Sequence, residues 1–233
     1  MTALERKQHR VCVVIPAFNE ERRIAGVIRC VREQGFDVVV VDDGSADWTA
    51  AVSEQAGAVV VRHGRNRGKG LALNTAFAHA REKGYDVVIT LDADGQHDPA
   101  EIPKFVDAYV RMGIPVLIGN RMGRTAGMPR IRRWTNEFMS WLLSRAMGQY
   151  VPDTQCGYRL FRTDVLPFVS AHAERFAAES EILLNIARRD IRIGAVPIAT
   201  IYAHGKSHIN PVVDTVRFCG MMWRFRGMLK RPR

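Results

Sequence analysis

Asp37-Val38-Val39-Val40-Val41-Asp42-Asp43-Gly44-Ser45 is the stretch on which the fold turns. Four consecutive valines favour a strand, because side chains branched at Cβ fit a pleated surface. The run shows no alternation of polar and apolar residues, so both faces of the strand must be covered. Helices on both faces imply crossover connections, and hence an α/β domain with an open, mainly parallel sheet. The flanking sequence agrees. Val11 to Ile15 reads as a strand, and a helix is expected over 20–34, with Ile24, Val27, Ile28 and Val31 on one face and Asn19 as its N-cap. Strands over 58–61, 86–91 and 115–118 alternate with helices over 47–56, 70–83 and 99–112. Pro99 suits a first helical turn. After Gly119 the pattern changes. Arg121, Arg124, Arg130, Arg132, Arg133 and Arg145 accompany one acid, Glu137, and the apolar Trp134, Phe138, Trp141 and Leu142. A loop and then an apolar-faced helix are expected there, followed by a strand over 158–161, a helix over 179–189 and strands over 191–196 and 199–202.

The chain has 233 residues, enough for one good-sized domain. Lys and Arg number 34 against 24 Asp and Glu, giving a net charge of +10 and pointing to an anionic partner. No nucleic-acid module is recognisable, which argues against nucleic acid as that partner. No apolar run approaches the roughly 20 residues of a spanning helix. Met1 to Arg10 is polar and lacks the apolar stretch of a secretory signal. The expectation is a cytoplasmic protein. Cys12, Cys30, Cys156 and Cys219 have no metal-ligand spacing and read as free thiols.

In open α/β sheets ligands bind beyond the carboxyl ends of the strands. Four polar segments land there: Pro16-Ala17-Phe18-Asn19-Glu20, Asp42-Asp43-Gly44-Ser45, Asn66-Arg67-Gly68-Lys69-Gly70 and Asp92-Ala93-Asp94-Gly95-Gln96-His97. Asp92 and Asp94, two apart at a strand end, should point the same way and offer hard oxygen ligands to Mg²⁺ or Mn²⁺, with Gln96 continuing the series. Asp42 or Asp43 suits a ribose hydroxyl or a base N–H. No Gly-x-Gly-x-x-Gly follows the first strand, which excludes the usual dinucleotide fingerprint, and Gly68-Lys69-Gly70 lacks the spacing of a phosphate-binding loop.

Together these segments resemble the ordered motifs of family 2 glycosyltransferases, above all the dolichyl- and polyprenyl-phosphate sugar transferases. Gly119-Asn120-Arg121, the segment from Asp153 to Phe161 and Gly205-Lys206-Ser207-His208 fit the same likeness, which extends from Val11 to about Phe218. The resemblance implies a glycosyltransferase-A fold: a single Rossmann-like domain with a mixed, mainly parallel sheet. It implies a metal-dependent, inverting transfer of a hexose from a UDP- or GDP-linked sugar to a polyprenyl or dolichyl phosphate. Pro16, Phe18, Asn19, Glu20, Asp42, Asp43, Lys69 and Asp92 would bind the nucleotide-sugar. Asp92, Asp94 and Gln96 would hold the metal. Arg121, Arg132, Arg133, Lys206, Ser207 and His208 would meet the acceptor phosphate, and Asp94, Asp153 and Arg121 would be catalytic. Relatives often read Gly-Glu-Ser-Lys where this chain has Gly205-Lys206-Ser207-His208, so its basic residue is displaced.

The expected organisation is a tail over 1–10, a catalytic domain over 11–210 with an acceptor-region insertion over 121–150, and a basic amphipathic tail over 211–233. On a helix, Phe218, Met221, Met222, Phe225, Met228 and Leu229 would share one face bordered by Arg217, Arg224, Arg226, Lys230 and Arg231, with Trp223 on the polar side; this is the layout either of a segment lying on the cytoplasmic face of a membrane or of a C-terminal helix docked on the core. Two alternatives stand beside this reading. One is the same fold acting on a soluble or other lipid hydroxyl acceptor. The other is a non-catalytic protein that holds a nucleotide-sugar.

Overall fold

Val38 to Val41 are each 2% exposed or less, in strand β2 (Asp37–Asp42), as the unbroken valine run requires. The computed structural model describes residues 9–123, 128, 130–169 and 176–199. β1 (Val11–Ala17) is followed by α1 (Ile24–Glu33), β2, α2 (Thr49–Gln55), β3 (Val59–Arg62), α3 (Lys69–Glu82) and β4 (Val87–Thr90). A 3₁₀ turn over Pro99–Glu101 leads into α4 (Ile102–Met112), then β5 (Val116–Asn120), α5 (Arg130–Met147), β6 (Arg159–Arg162), α6 (Phe176–Ala187) and β7 (Ile193–Pro197).

The strands of the described residues form one sheet in the order β3-β2-β1-β4-β6-β5-β7. β1 pairs in parallel with β2 and β4, and β2 with β3. β6 is antiparallel to both β4 and β5, while β5 and β7 are parallel. The sheet is thus mixed but mainly parallel. Its strands and the apolar faces of the helices share a continuous core, to which α1 contributes the predicted Ile24, Val27, Ile28 and Val31.

Reversal of β6 determines where the site is built. In a parallel strand the loop at the carboxyl edge of the sheet leaves the strand; in β6 the loop at that edge enters it. The segment from Asp153 to Gly157 therefore arrives beside the end of β4, where Thr90 Oγ1 donates to the Gly157 carbonyl at 2.7 Å.

Some expected boundaries are corrected. α1 begins at Ile24, and residues 20–23 form the turn before it. Asn19 does not cap that helix. It adopts a positive φ of 56°, and its Oδ1 accepts the Ala46 amide at 2.9 Å, tying the β1–α1 turn to the β2–α2 loop. Ala199 lies outside any strand, and the rest of the strand expected over 199–202 falls outside the described residues, as do residues 1–8 and the tail over 211–233. Among the described residues no helix is long and apolar enough to cross a membrane.

Candidate functional site

β2, β1 and β4 are neighbours in the sheet, so their carboxyl ends bring Asp42-Asp43, Asn19-Glu20 and Asp92-Ala93-Asp94 to one edge. The loop after β2 is fixed by its own acids. Asp42 is fully buried, accepts the Ser45 amide at 3.0 Å through Oδ1 and has Arg62 Nε 3.0 Å from Oδ2, an ion contact without hydrogen-bond alignment. Asp43 accepts the Arg67 and Gly68 amides at 3.0 and 2.7 Å, and His63 Nδ1 lies 2.7 Å from its Oδ1. Thr75 Oγ1 lies 3.0 Å from the other ring nitrogen of His63. The two acids expected to meet a nucleoside thus hold the protein's own loops. Gly44 is required in this turn: its φ is +75°, and a Cβ there would lie 2.4 Å from the Arg65 carbonyl carbon. Gly44, Ser45, Arg62, His63 and Gly64 line a crevice of about 320 Å³.

Asp92 and Asp94 do not share an extended strand end as expected. β4 stops at Thr90, and residues 93–94 form a turn. Asp92 Oδ1 is 2.6 Å from Lys69 Nζ, which also lies 2.5 Å from Glu179 Oε1 on α6. Burial works against a charged carboxylate, but the Lys69 ammonium outweighs it and holds Asp92 down at about 2. Lys69 is likewise kept protonated: burial opposes its charge, and Asp92 and Glu179 more than compensate. Its side chain remains 31% exposed. The closeness of the three groups depends on Gly157, where a Cβ would lie 2.7 Å from Asp92 Oδ2 and 3.1 Å from Glu179 Oε1.

Asp94 accepts the Gln96 amide at 2.9 Å through Oδ1, and its Oδ2 has no partner among the described residues. His97 is buried, and its Nδ1, 3.7 Å from Asp92 Oδ2, makes no hydrogen bond. Burial lowers the His97 pKa, so the ring is neutral near pH 7. Among the described residues no group of three or more His, Cys, Asp or Glu side chains surrounds a cation position. A metal here would take a carboxylate or two from the protein and the rest of its ligands from substrate and water. Oδ2 of Asp94 and the second oxygen of Asp92 fit that oxygen-rich chemistry.

Arg121 is buried against Asp153, donating from its backbone amide at 3.1 Å, from Nε at 2.7 Å and from Nη2 at 2.9 Å. Both Asp153 oxygens are therefore occupied. Arg133 is paired with Glu137 on the exposed side of α5. The Arg132 side chain lies outside the described residues, as do Lys206, Ser207 and His208. Pro16 lines the crevice that holds Lys69 and Asp92, and Phe18 is exposed at the rim. The Glu20 amide donates to Thr49 Oγ1 at 2.8 Å.

Sequence reasoning missed Glu179, His63 and Arg159. Arg159 is fully buried and donates to the carbonyls of Cys156, Glu179 and Thr154 at 2.8, 2.8 and 3.0 Å. Its neighbour Cys156 is also buried. Burial pushes the thiols of Cys12 and Cys156 from 9.0 up to about 12, whereas Cys30 is exposed. Iodoacetamide near pH 8 should therefore alkylate Cys30 and leave Cys12 and Cys156 intact, read by peptide mass spectrometry. Between about pH 9 and 12 the unfolded chain loses both thiol protons and the folded chain keeps them, so the melting temperature should fall as pH rises through that window. A Cys12→Ala/Cys156→Ala chain should show a shallower fall.

Residues 12–168 match the model of the family described as "Glycosyl transferase family 2". An undecaprenyl-phosphate mannosyltransferase of Micrococcus luteus is 30% identical over 246 residues, covering 95% of this chain and 98% of that protein. A UDP-N-acetylglucosamine–dolichyl-phosphate N-acetylglucosaminyltransferase of Methanococcus voltae is 30% identical over 215 residues, covering 82% and 86%. Among solved structures, mannosyl-3-phosphoglycerate synthase of Rubrobacter xylanophilus superposes with a TM-score of 0.76 at 21% identity, over 98% of this chain and 78% of that one. Glucosyl-3-phosphoglycerate synthase of Mycobacterium tuberculosis, solved with Mn²⁺, UDP-glucose and phosphoglyceric acid, gives 0.72 at 21%, over 99% and 83%. The fold is the glycosyltransferase-A fold.

Proposed function

The chain belongs to glycosyl transferase family 2 and is a glycosyltransferase, and from that premise we propose that it moves a hexose from a nucleotide-sugar to a polyprenyl phosphate, with inversion at the anomeric carbon and with help from Mg²⁺ or Mn²⁺. The observation that carries this reading is the meeting of Lys69, Asp92 and Glu179 beyond the carboxyl end of β4, with Asp94 two residues on in the same loop. The Methanococcus and Micrococcus relatives, named for dolichyl and undecaprenyl phosphates, support the acceptor class. The Mn²⁺ and UDP-glucose bound by the Mycobacterium enzyme support the donor and the metal.

Breaking an anomeric C–O bond leaves negative charge on the departing diphosphate. A divalent cation held by Asp94, with Asp92 beside it, would stabilise that charge as a Lewis acid. The protein's own contribution is placement. Lys69 fixes Asp92 and Glu179, so the donor edge keeps its shape without a ligand. The crevice beside Ser45 and Arg62 receives the nucleoside. Arg121, oriented by Asp153, presents positive charge to a phosphate. A phosphate acceptor is already anionic and needs no general base. The full engagement of Asp153 with Arg121 suits that economy better than a hydroxyl acceptor would. Contact of the protein with the membrane that carries a lipid acceptor belongs to the same proposal.

Melting curves with UDP or GDP, with and without Mn²⁺, test the donor side. At a nucleotide concentration about 100 times Kd, one of the two should stabilise the fold by about 2.7 kcal/mol, or roughly 5–10 °C for a chain of this size, and only with Mn²⁺ present. No shift with either nucleotide would remove the donor reading. Transfer of labelled hexose from the matching donor to a polyprenyl phosphate then tests the acceptor.

A further inference from the structure

α5 is amphipathic the wrong way round. At about 100° per residue, Ile131, Trp134, Phe138 and Trp141 share an arc of roughly 80°. They are 80%, 68%, 47% and 59% exposed. The opposite face, turned to the core, carries the polar Asn136 and Ser140 together with Leu143 and Met147, all buried. Trp134 and Trp141 thus face away from the domain. Trp134 stacks on Phe138 at 5.9 Å, and Phe138 meets Trp141 at 6.1 Å, so the rings form a continuous ridge. Exposed Arg130, Arg133 and Arg145 border it, against one acid, Glu137.

Water does not explain such a face. Its exposed apolar area is about 500 Å², the size of patch that marks an interaction site. A second copy of this chain is a poor occupant, because a stable dimer needs about 800 Å² per partner and would bring the arginines together. The chain's own residues 211–233 are also poor occupants, since Arg217, Arg224, Arg226, Lys230, Arg231 and Arg233 stand against a single acid, Asp214. Tryptophan rings rimmed by arginines match the boundary between headgroups and acyl chains of an anionic bilayer.

We infer that the α5 ridge is a docking surface for anionic phospholipid membrane. The inner face of α5 holds the loop that carries Asp153: the Thr154 amide donates to Ser140 Oγ at 2.9 Å, and the Val151 amide to Ser144 Oγ at 3.0 Å. A bilayer on the outer face would lie about one helix diameter, roughly 10 Å, from the Arg121–Asp153 pair. The lipid acceptor proposed above would then enter from the membrane on which the enzyme rests; the inference leans on that reading only for this last point.

The test uses the full chain and vesicles of phosphatidylcholine with or without phosphatidylglycerol, with no donor and no acceptor. Wild type should sediment with the anionic vesicles. Trp134→Ser/Trp141→Ser should reduce the partition coefficient at least roughly tenfold while shifting the melting temperature by no more than about 2 °C, because the substituted side chains are exposed. A second measurement leaves the ridge unaltered. In a Trp48→Phe/Trp223→Phe chain the remaining indoles are those of the ridge, and lipids with brominated acyl chains should quench them. Wild-type protein that ignores anionic vesicles, a double variant that still binds them, absence of quenching, or a wild-type dimer that the double variant dissolves would each overturn the proposal. Vesicle binding without sugar transfer would leave the surface standing and sink the acceptor reading. Transfer to a short, water-soluble prenyl phosphate without vesicle binding would do the reverse.

Discussion

Asp94→Asn should lower kcat/KM for sugar transfer by about 10³ or more while leaving the melting temperature of the free protein within about 2 °C of wild type. The small structural effect follows from local geometry. Asp94 sits in a turn and accepts one hydrogen bond, from the Gln96 amide to Oδ1. An asparagine carbonyl can accept the same bond. What disappears is the negative charge on an oxygen that no described residue engages. If that oxygen holds a divalent cation against a diphosphate, several kcal/mol of transition-state stabilisation go with it, and about 1.4 kcal/mol is a factor of ten. The Mn²⁺-dependent thermal shift with nucleotide should vanish in the same variant. Asp92→Asn should behave differently, because it also weakens the contact to Lys69 and so lowers both stability and rate. Steady-state kinetics and melting curves on the two variants separate the roles; full activity in Asp94→Asn would end the metal proposal.

Arg159→Met should lower the melting temperature by about 10 °C, the largest stability change expected of any single substitution at this site. The guanidinium is fully buried and supplies donors to three backbone carbonyls, those of Thr154, Cys156 and Glu179. Methionine fills much the same volume and leaves all three without their partner. Each orphaned buried acceptor costs about 1–3 kcal/mol, and partial relaxation brings the sum to about 3–5 kcal/mol. At about 2–4 °C per kcal/mol for a domain of this size, the expected fall is near 10 °C. Arg159→Lys should not restore the loss, because one ammonium cannot span three acceptors arranged around a planar fork. A fall under about 2 °C would mean that the loop from Thr154 to Gly157 is held by other contacts, and differential scanning calorimetry decides the point.

The strand–helix alternation was legible because it rests on local chemistry. Runs such as Val38 to Val41 and the spacing of Ile24, Val27, Ile28 and Val31 report burial directly. Placing Asp42, Asp92 and Asp94 at the carboxyl edge of the sheet was equally accessible, since it needs only the strand positions and the rule for open sheets. What the site residues touch was not accessible. Lys69 reaches Asp92 across 23 positions and Glu179 across 110, and no local pattern encodes such a meeting. That Asp43 also holds His63, Arg67 and Gly68 has no local signature either. The reversal of β6 was hidden because four residues, Arg159 to Arg162, carry no mark of direction.

The sheet order also has a consequence for synthesis on the ribosome. β5 emerges before β6 but lies beyond it in the sheet, so β5 has no strand to join until Arg159 to Arg162 have been made. Through that interval the nascent chain carries the outer border of β4 bare. Unpaired borders invite other chains to add to them. Translation across this stretch, or a chaperone waiting on it, thus bears on the yield of active enzyme as directly as the stability of the finished fold.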